Sequence, residues 1–159
     1  VDSEQGATKA CEDLREELVR QQDMLLAREE HAVVVVIQGM DGAGKDGTIK
    51  ALASLLDPQS CHAHSLNKPA GRELKHDYLR RYVEKLPQRG QITIFNRSYY
   101  ESVIVGQIHP ERLDEEALPD EVRQRPGLYK QRYRQINDFE RYLAENGIIV
   151  LKFFMHLSY

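Results

Sequence analysis

The chain has 159 residues, 41% hydrophobic and 30% charged, which is one domain's worth of sequence and enough to bury a core. No run reaches the roughly 18 apolar residues that a membrane-spanning helix needs. A net charge of −3 argues against a nucleic-acid-binding face.

The N-terminus, "VDSEQGATKACEDL", has neither a basic stretch nor an apolar one, so no signal peptide is expected. Residues 1–9 are expected to be disordered. Leu14, Leu18, Met24 and Leu25 among many charges predict an amphipathic helix from about Ala10 to Arg28. "AVVVVIQ" (32–38) is a β-branched run that suits a strand covered on both faces. Glycine-punctuated loop follows, then helical spacing of Ile49, Leu52, Ala53 and Leu56, stopped by Asp57-Pro58. "CHAHSLN" (61–67) predicts a short strand, 73–86 a helix, "QITIFN" (91–96) a strand and "SYYESVIVGQI" a short helix. Residues 109–127 form a polar connector with three prolines. "LYKQRYRQINDFERYLAEN" (128–146) predicts a long helix closed by Gly147, and "IIVLKFFMHL" (148–157) an apolar strand. Strands alternating with helices imply a single α/β domain with a parallel sheet. Cys11 and Cys61 are expected as free thiols of a reduced, cytoplasmic protein.

The chemistry concentrates in "QGMDGAGKDGTIK". Gly39-x4-Gly44-Lys45, between a strand and a helix, is the skeleton of a phosphate-binding loop. Its glycines let backbone N–H groups converge on phosphate oxygens, the helix adds its positive end, and Lys45 adds a point charge. The position after the lysine, where Ser or Thr usually meets Mg²⁺, holds Asp46. A carboxylate inside a phosphate cradle repels phosphate unless a cation intervenes, which makes Asp41 a candidate Mg²⁺ ligand. Asp46, at the first helical turn, is expected to be mainly structural, and Thr48 is a substitute source of a hydroxyl. The strand "ITIFN" ends on Asn96, a weak metal ligand or a strand-end cap, beside Arg97, which can meet phosphate bidentately.

Charge is unevenly spread. Residues 68–97 hold eight Lys/Arg against three acids, and 123–141 hold six against two, which suggests a confined polyanion site rather than a basic face. Cys61, His62 and His64 lack a partner pair at metal-site spacing, so no zinc is expected. Tyr129, Tyr133, Phe139 and Tyr142 are expected in the core, and Arg132 as a solvated charge.

The segments "QGMDGAGKDGTIK", "NKPAGRELKHDYLRR", "LPQRG", "IFNRSYYESVIV" and "RYRQINDFERYL…GIIVLKFFMHLS" resemble the family-2 polyphosphate kinases, in order, from about Leu14 to Ser158. The resemblance implies a P-loop kinase-like three-layer sandwich with strand order 2-3-1-4-5, and a C-terminal lid and last strand that this chain lacks. It implies phosphoryl transfer between inorganic polyphosphate and nucleoside mono- or diphosphates with Mg²⁺, and the Asn-Arg-Ser form is similar to members that accept AMP as well as ADP. By position, Gly39, Asp41, Gly42, Gly44, Lys45, Gly47 and Thr48 would form the cradle, with Asn96 and Arg97 beside it. Asp41 is then the carboxylate near metal and phosphate, Lys68 a polyphosphate contact, and Glu101 a further metal or acceptor contact. The expected partners are polyphosphate, nucleotides and copies of the chain in a homo-oligomer, not nucleic acid or membrane. An ATP-dependent nucleotide kinase and an impaired phosphate-binding module are the competing expectations, and the 159-residue chain alone is expected to be a poor enzyme.

Overall fold

A computed structural model describes residues 4–156, with side chains described from residue 12 onward. Residues 1–3, the Cys11 side chain and Leu157 lie outside that description. In chain order the elements are α1 (Glu4–Arg28), β1 (Ala32–Gly39), α2 (Lys45–Leu55), β2 (Cys61–Ser65), a 3₁₀ turn (Gly71–Lys75), α3 (Arg80–Val83), β3 (Ile92–Asn96), α4 (Glu101–Ile108), α5 (Arg112–Glu115), α6 (Asp120–Arg123), α7 (Leu128–Glu145) and β4 (Ile148–Met155).

The four strands form one parallel sheet in the order β2-β3-β1-β4. The apolar run in β1 is central, and its alternation sorts two cores. Val34 and Val36 pack with Phe95, Tyr82, Tyr99, Val103 and Ile136 on the face covered by α3, α4 and α7. Val35 and Ile37 pack with Ile94, Ile49 and Leu56 on the other face, under α2 and the Leu18 and Leu25 side chains of α1. The result is the expected three-layer α/β arrangement. Gln22 bolts α1 to the loop before β2: its amide donates to Ser60 Oγ (2.7 Å) and accepts from the Asp57 N–H (2.9 Å).

Three local expectations need correction. Residues 4–9 are helical, not disordered, because Glu4, Gln5, Ala7, Lys9 and Ala10 are good helix formers that extend α1 upstream of its first apolar residue. The single helix over 73–86 is two short pieces, since Asp77 Oδ1 accepts the Leu79 N–H (2.9 Å) and turns the chain between them. The 109–127 connector contains two one-turn helices, α5 and α6, the second begun by Pro119. No described helix is long and apolar enough to cross a membrane.

Parallel pairing of Ile37 with Asn96 and of Ser65 with Asn96 brings the carboxyl ends of β1, β2 and β3 to one edge of the sheet, where α/β folds bind ligands. On the far side, β4 pairs with β1 and leaves Ile149, Leu151, Phe153 and Phe154 exposed. Such an edge is a template for strand pairing. The 159-residue chain is expected to self-associate with rising concentration on size-exclusion chromatography, and Ile149→Lys with Phe153→Lys should return it to monomer. A wild-type elution volume that stays monomeric at every concentration would count against this role for the edge.

Candidate active site

The loop after β1 is shaped by two kinds of constraint. Gly39 is required by close approach, because a Cβ there would lie 2.8 Å from the Met155 carbonyl oxygen of β4. Gly44 is required by conformation, at φ +78°, where it turns the chain into α2. Lys45, the first residue of α2, is buried and donates from Nζ to the Gly39 and Met40 carbonyls, both at 2.7 Å. Asp41 projects the other way, with its side chain 86% exposed and Oδ1 3.9 Å from the same Nζ.

A cavity of ≈ 340 Å³ opens in front of this loop. Asp41, Gly42, Gly44, Lys45, Gly47, Asn96 and Arg97 line it, so seven of the expected residues share one space at the N-terminus of an eleven-residue helix. Asp46, Ser65 and Asn67 line it as well. Gly39 lies behind the loop against β4, and Thr48 is exposed a turn into α2, with its N–H on the Gly44 carbonyl (3.0 Å); neither lines the cavity.

Arg97 has φ +64°, a conformation that costs a non-glycine residue about 1 kcal/mol or more. The surrounding structure enforces it: the Arg97 N–H donates to the Ile37 carbonyl (3.2 Å), and the chain then enters α4. The twist aims the guanidinium at the loop. Nη2 is 2.7 Å from Asp41 Oδ1 and Nη1 is 3.6 Å from Glu101 Oε2. Asn96 donates from Nδ2 to Asp46 Oδ1 (2.5 Å), while its own Oδ1 is buried without a hydrogen-bond partner. Asp46, at the first turn of α2, therefore orients Asn96.

Sequence reasoning missed Gln38. This buried amide donates to Glu101 Oε1 (2.5 Å) and accepts from Ser98 Oγ (3.3 Å). A signal was present, since Gln38 is the first polar residue after six consecutive apolar ones in a buried strand. Glu115 was missed too: it holds Lys68 Nζ at 2.7 Å.

Lys68 and Glu101 line a second cavity of ≈ 90 Å³ between the 3₁₀ turn, α4, α5 and α7. Arg132 forms part of its wall and corrects an expectation. It is 3% exposed, forms two hydrogen bonds to Glu116 (3.0 and 2.5 Å) and stacks 4.7 Å from the Tyr78 ring centre. Position 132 shares an inward face with Leu128 and Ile136, and Glu116 neutralises the charge there. Burial pushes the Tyr78 hydroxyl up to about 12 against the opposing pull of Arg132, so it remains a proton donor, here to Gln135. Tyr142 and Tyr133 are exposed rather than core, whereas Phe139 packs edge-on to Tyr99 (5.7 Å). Glu140 accepts from Tyr99 (2.8 Å), Tyr100 (3.0 Å) and Lys152 (2.6 Å), tying the segment after Arg97 to α7 and β4. Among the described residues, no group of three or more His, Cys, Asp or Glu is placed to hold a metal ion unaided.

A family profile described as Polyphosphate kinase 2 matches residues 2–159. An ADP-polyphosphate phosphotransferase from Rhodopseudomonas palustris is 44% identical over 137 residues, covering 86% of this chain and 47% of that protein. An AMP/ADP-polyphosphate phosphotransferase from Meiothermus ruber is 39% identical over 154 residues, covering 97% of this chain and 53% of that protein. The crystal structure of polyphosphate kinase 2 from Arthrobacter aurescens TC1 superposes with a TM-score of 0.79 at 29% identity, over 94% of this chain and 49% of that one. The chain thus spans about half the length of these relatives. The match over residues 2–159, together with these relatives, shows that the chain belongs to the polyphosphate kinase 2 family.

Proposed function

We propose that the protein transfers a phosphoryl group between inorganic polyphosphate and nucleoside mono- or diphosphates. The observation that carries this reading is a pair of cavities linked by the Arg97–Glu101 segment: Arg97 borders the phosphate cradle, and Glu101 the second cavity. The first suits the phosphates in transfer; the second, at ≈ 90 Å³, is too small for a whole nucleoside and carries the charged groups Lys68 and Glu101 beside the phosphate site. The names of the relatives support ADP and AMP as acceptors.

The oxygen donors near Arg97 suit a hard cation such as Mg²⁺, which is commonly held by one or two carboxylates together with substrate phosphates. Asp41 would hold it, aided by Asn96 Oδ1, the buried oxygen without a partner. Glu101 already faces Gln38 and Arg97, which makes it the lesser ligand. The cation would supply charge neutralisation between the phosphates. The chain supplies the rest: loop N–H groups and Lys45 fix the phosphates, and Arg97 meets charge as it develops on the transferring group. We assign this activity to the cytoplasm, the compartment of its nucleotide substrates, in a homo-oligomer.

The test is incubation of ADP, and separately AMP, with long-chain polyphosphate, Mg²⁺ and no added ATP, followed by chromatography of the nucleotides. ATP formed from ADP is the expected result. Transfer from ATP to AMP with none from polyphosphate would assign an ATP-dependent nucleotide kinase instead. Binding of tripolyphosphate with no turnover of any nucleotide would leave a phosphate-binding module.

Lys68 gives a separate test. Its pair with Glu115 is half exposed and so worth about 1 kcal/mol at most, which a polyanion can outcompete. Lys68→Ala is expected to weaken polyphosphate binding more than nucleotide binding, and the polyphosphate affinity of the wild type should fall steeply with salt. Equal losses for both ligands would remove Lys68 from the polyphosphate path.

A further inference from the structure

We propose that Gln38 is a positioning residue for the Arg97 guanidinium, acting through the Glu101 carboxylate. The inference rests on the reading of the Lys45–Arg97 cavity as a phosphate site.

Both ends of the Gln38 amide are used. Ser98, fully buried, donates to its oxygen, which turns its nitrogen toward Glu101. A carboxylate can only accept, so a donor is needed at that point. An amide donates without bringing charge. A lysine there would neutralise Glu101 and compete with Arg97. The amide instead leaves the full negative charge of Glu101 available, fixes one of its oxygens, and so presents the other to Arg97 Nη1 at 3.6 Å.

Arg97 is held by two carboxylates of unequal permanence. Asp41 is 86% exposed, while the Glu101 side chain is largely shielded. A divalent cation held by Asp41 would repel the guanidinium that now contacts the same carboxylate. Glu101 would then be the anchor left to Arg97, and Nη2 would be free to meet a phosphate oxygen. An unrestrained Glu101, with three side-chain torsions, would not hold the guanidinium over the cavity. Gln38 removes that freedom.

The experiment is a double-mutant cycle read by calorimetry with Mg²⁺ and tripolyphosphate. Gln38→Met keeps the length and shape of the side chain but cannot donate. It is expected to weaken tripolyphosphate binding by about tenfold in the wild-type background, within the range of couplings inside one hydrogen-bond and salt-bridge network. In an Arg97→Ala background the same change should alter affinity by less than about twofold, because the group being positioned is gone. Gln38→Glu, which faces Glu101 with a like charge, should be worse than Gln38→Met in the wild-type background. Equal losses from Gln38→Met in both backgrounds would overturn the inference and leave Gln38 as a strut of the loop, with the phosphate site intact. A wild-type protein that binds no tripolyphosphate would sink the phosphate-site reading and this inference with it. Should Gln38→Met fail to fold, nuclear magnetic resonance on other variants still decides. The Gln38 side-chain NH₂ resonances should shift on Glu101→Gln and stay in place on Lys68→Ala, and an unmoved signal in Glu101→Gln would refute the contact.

Discussion

Lys45→Ala and Asp41→Asn are each expected to reduce phosphoryl transfer by about a thousandfold or more without unfolding the protein. In this chemistry the protein forms little covalent bonding of its own, so positioning and charge stabilisation supply nearly all of the rate. Lys45 is the cation that the loop encloses, held on the Gly39 and Met40 carbonyls and ready to exchange them for phosphate oxygens. Met40 is exposed and Gly39 half-buried, so the freed carbonyls can find water and the fold survives while the charge on the phosphates goes unanswered. Asp41 is mostly exposed, so an isosteric amide costs little stability, yet it can no longer draw a divalent cation to the cradle. Turnover measured alongside circular dichroism checks both. A variant with a native spectrum and near wild-type turnover would remove that residue from the catalytic set.

Arg132→Ala is expected to destabilise the fold by about 3 kcal/mol, the cost of breaking a buried pair by deleting one partner. The deletion strands the Glu116 carboxylate, uncovers the Tyr78 ring and empties the space between α4, α5 and α7. For a domain of this size, roughly 6–12 °C of thermal midpoint should be lost. Arg132→Ala combined with Glu116→Ala should recover part of the loss, because no unpaired charge remains. Urea unfolding of the two single variants and the double variant measures the coupling. Additive losses would show that the ion pair contributes nothing beyond its separate contacts.

Local pattern carries far in this chain. Six apolar residues before Gln38 made a strand buried on both faces legible, because only a central strand leaves neither face for polar side chains. Gly39-x4-Gly44-Lys45 between strand and helix marked the loop that lines the cavity, since such a pattern is local and written in consecutive residues. Asp41, Lys45, Asn96 and Arg97 were named from sequence, and they line one cavity. What the sequence could not convey is pairing across distance. Glu116 neutralises Arg132 from sixteen positions away, so a charge that reads as solvated is buried. Glu101 meets Gln38 across sixty-three positions, and Asn96 meets Asp46 across fifty. The helix expected over 73–86 failed for a related reason, as Asp77 folds its carboxylate back onto the Leu79 N–H. The sequence by itself determined the layers of the sheet and the glycine-bent loop that lines the cavity, because hydrophobic period and glycine conformation act between neighbours. Only the tertiary structure decided which buried charge has a partner and which amide steers which carboxylate, because those energies depend on groups that meet only once the strands are in register.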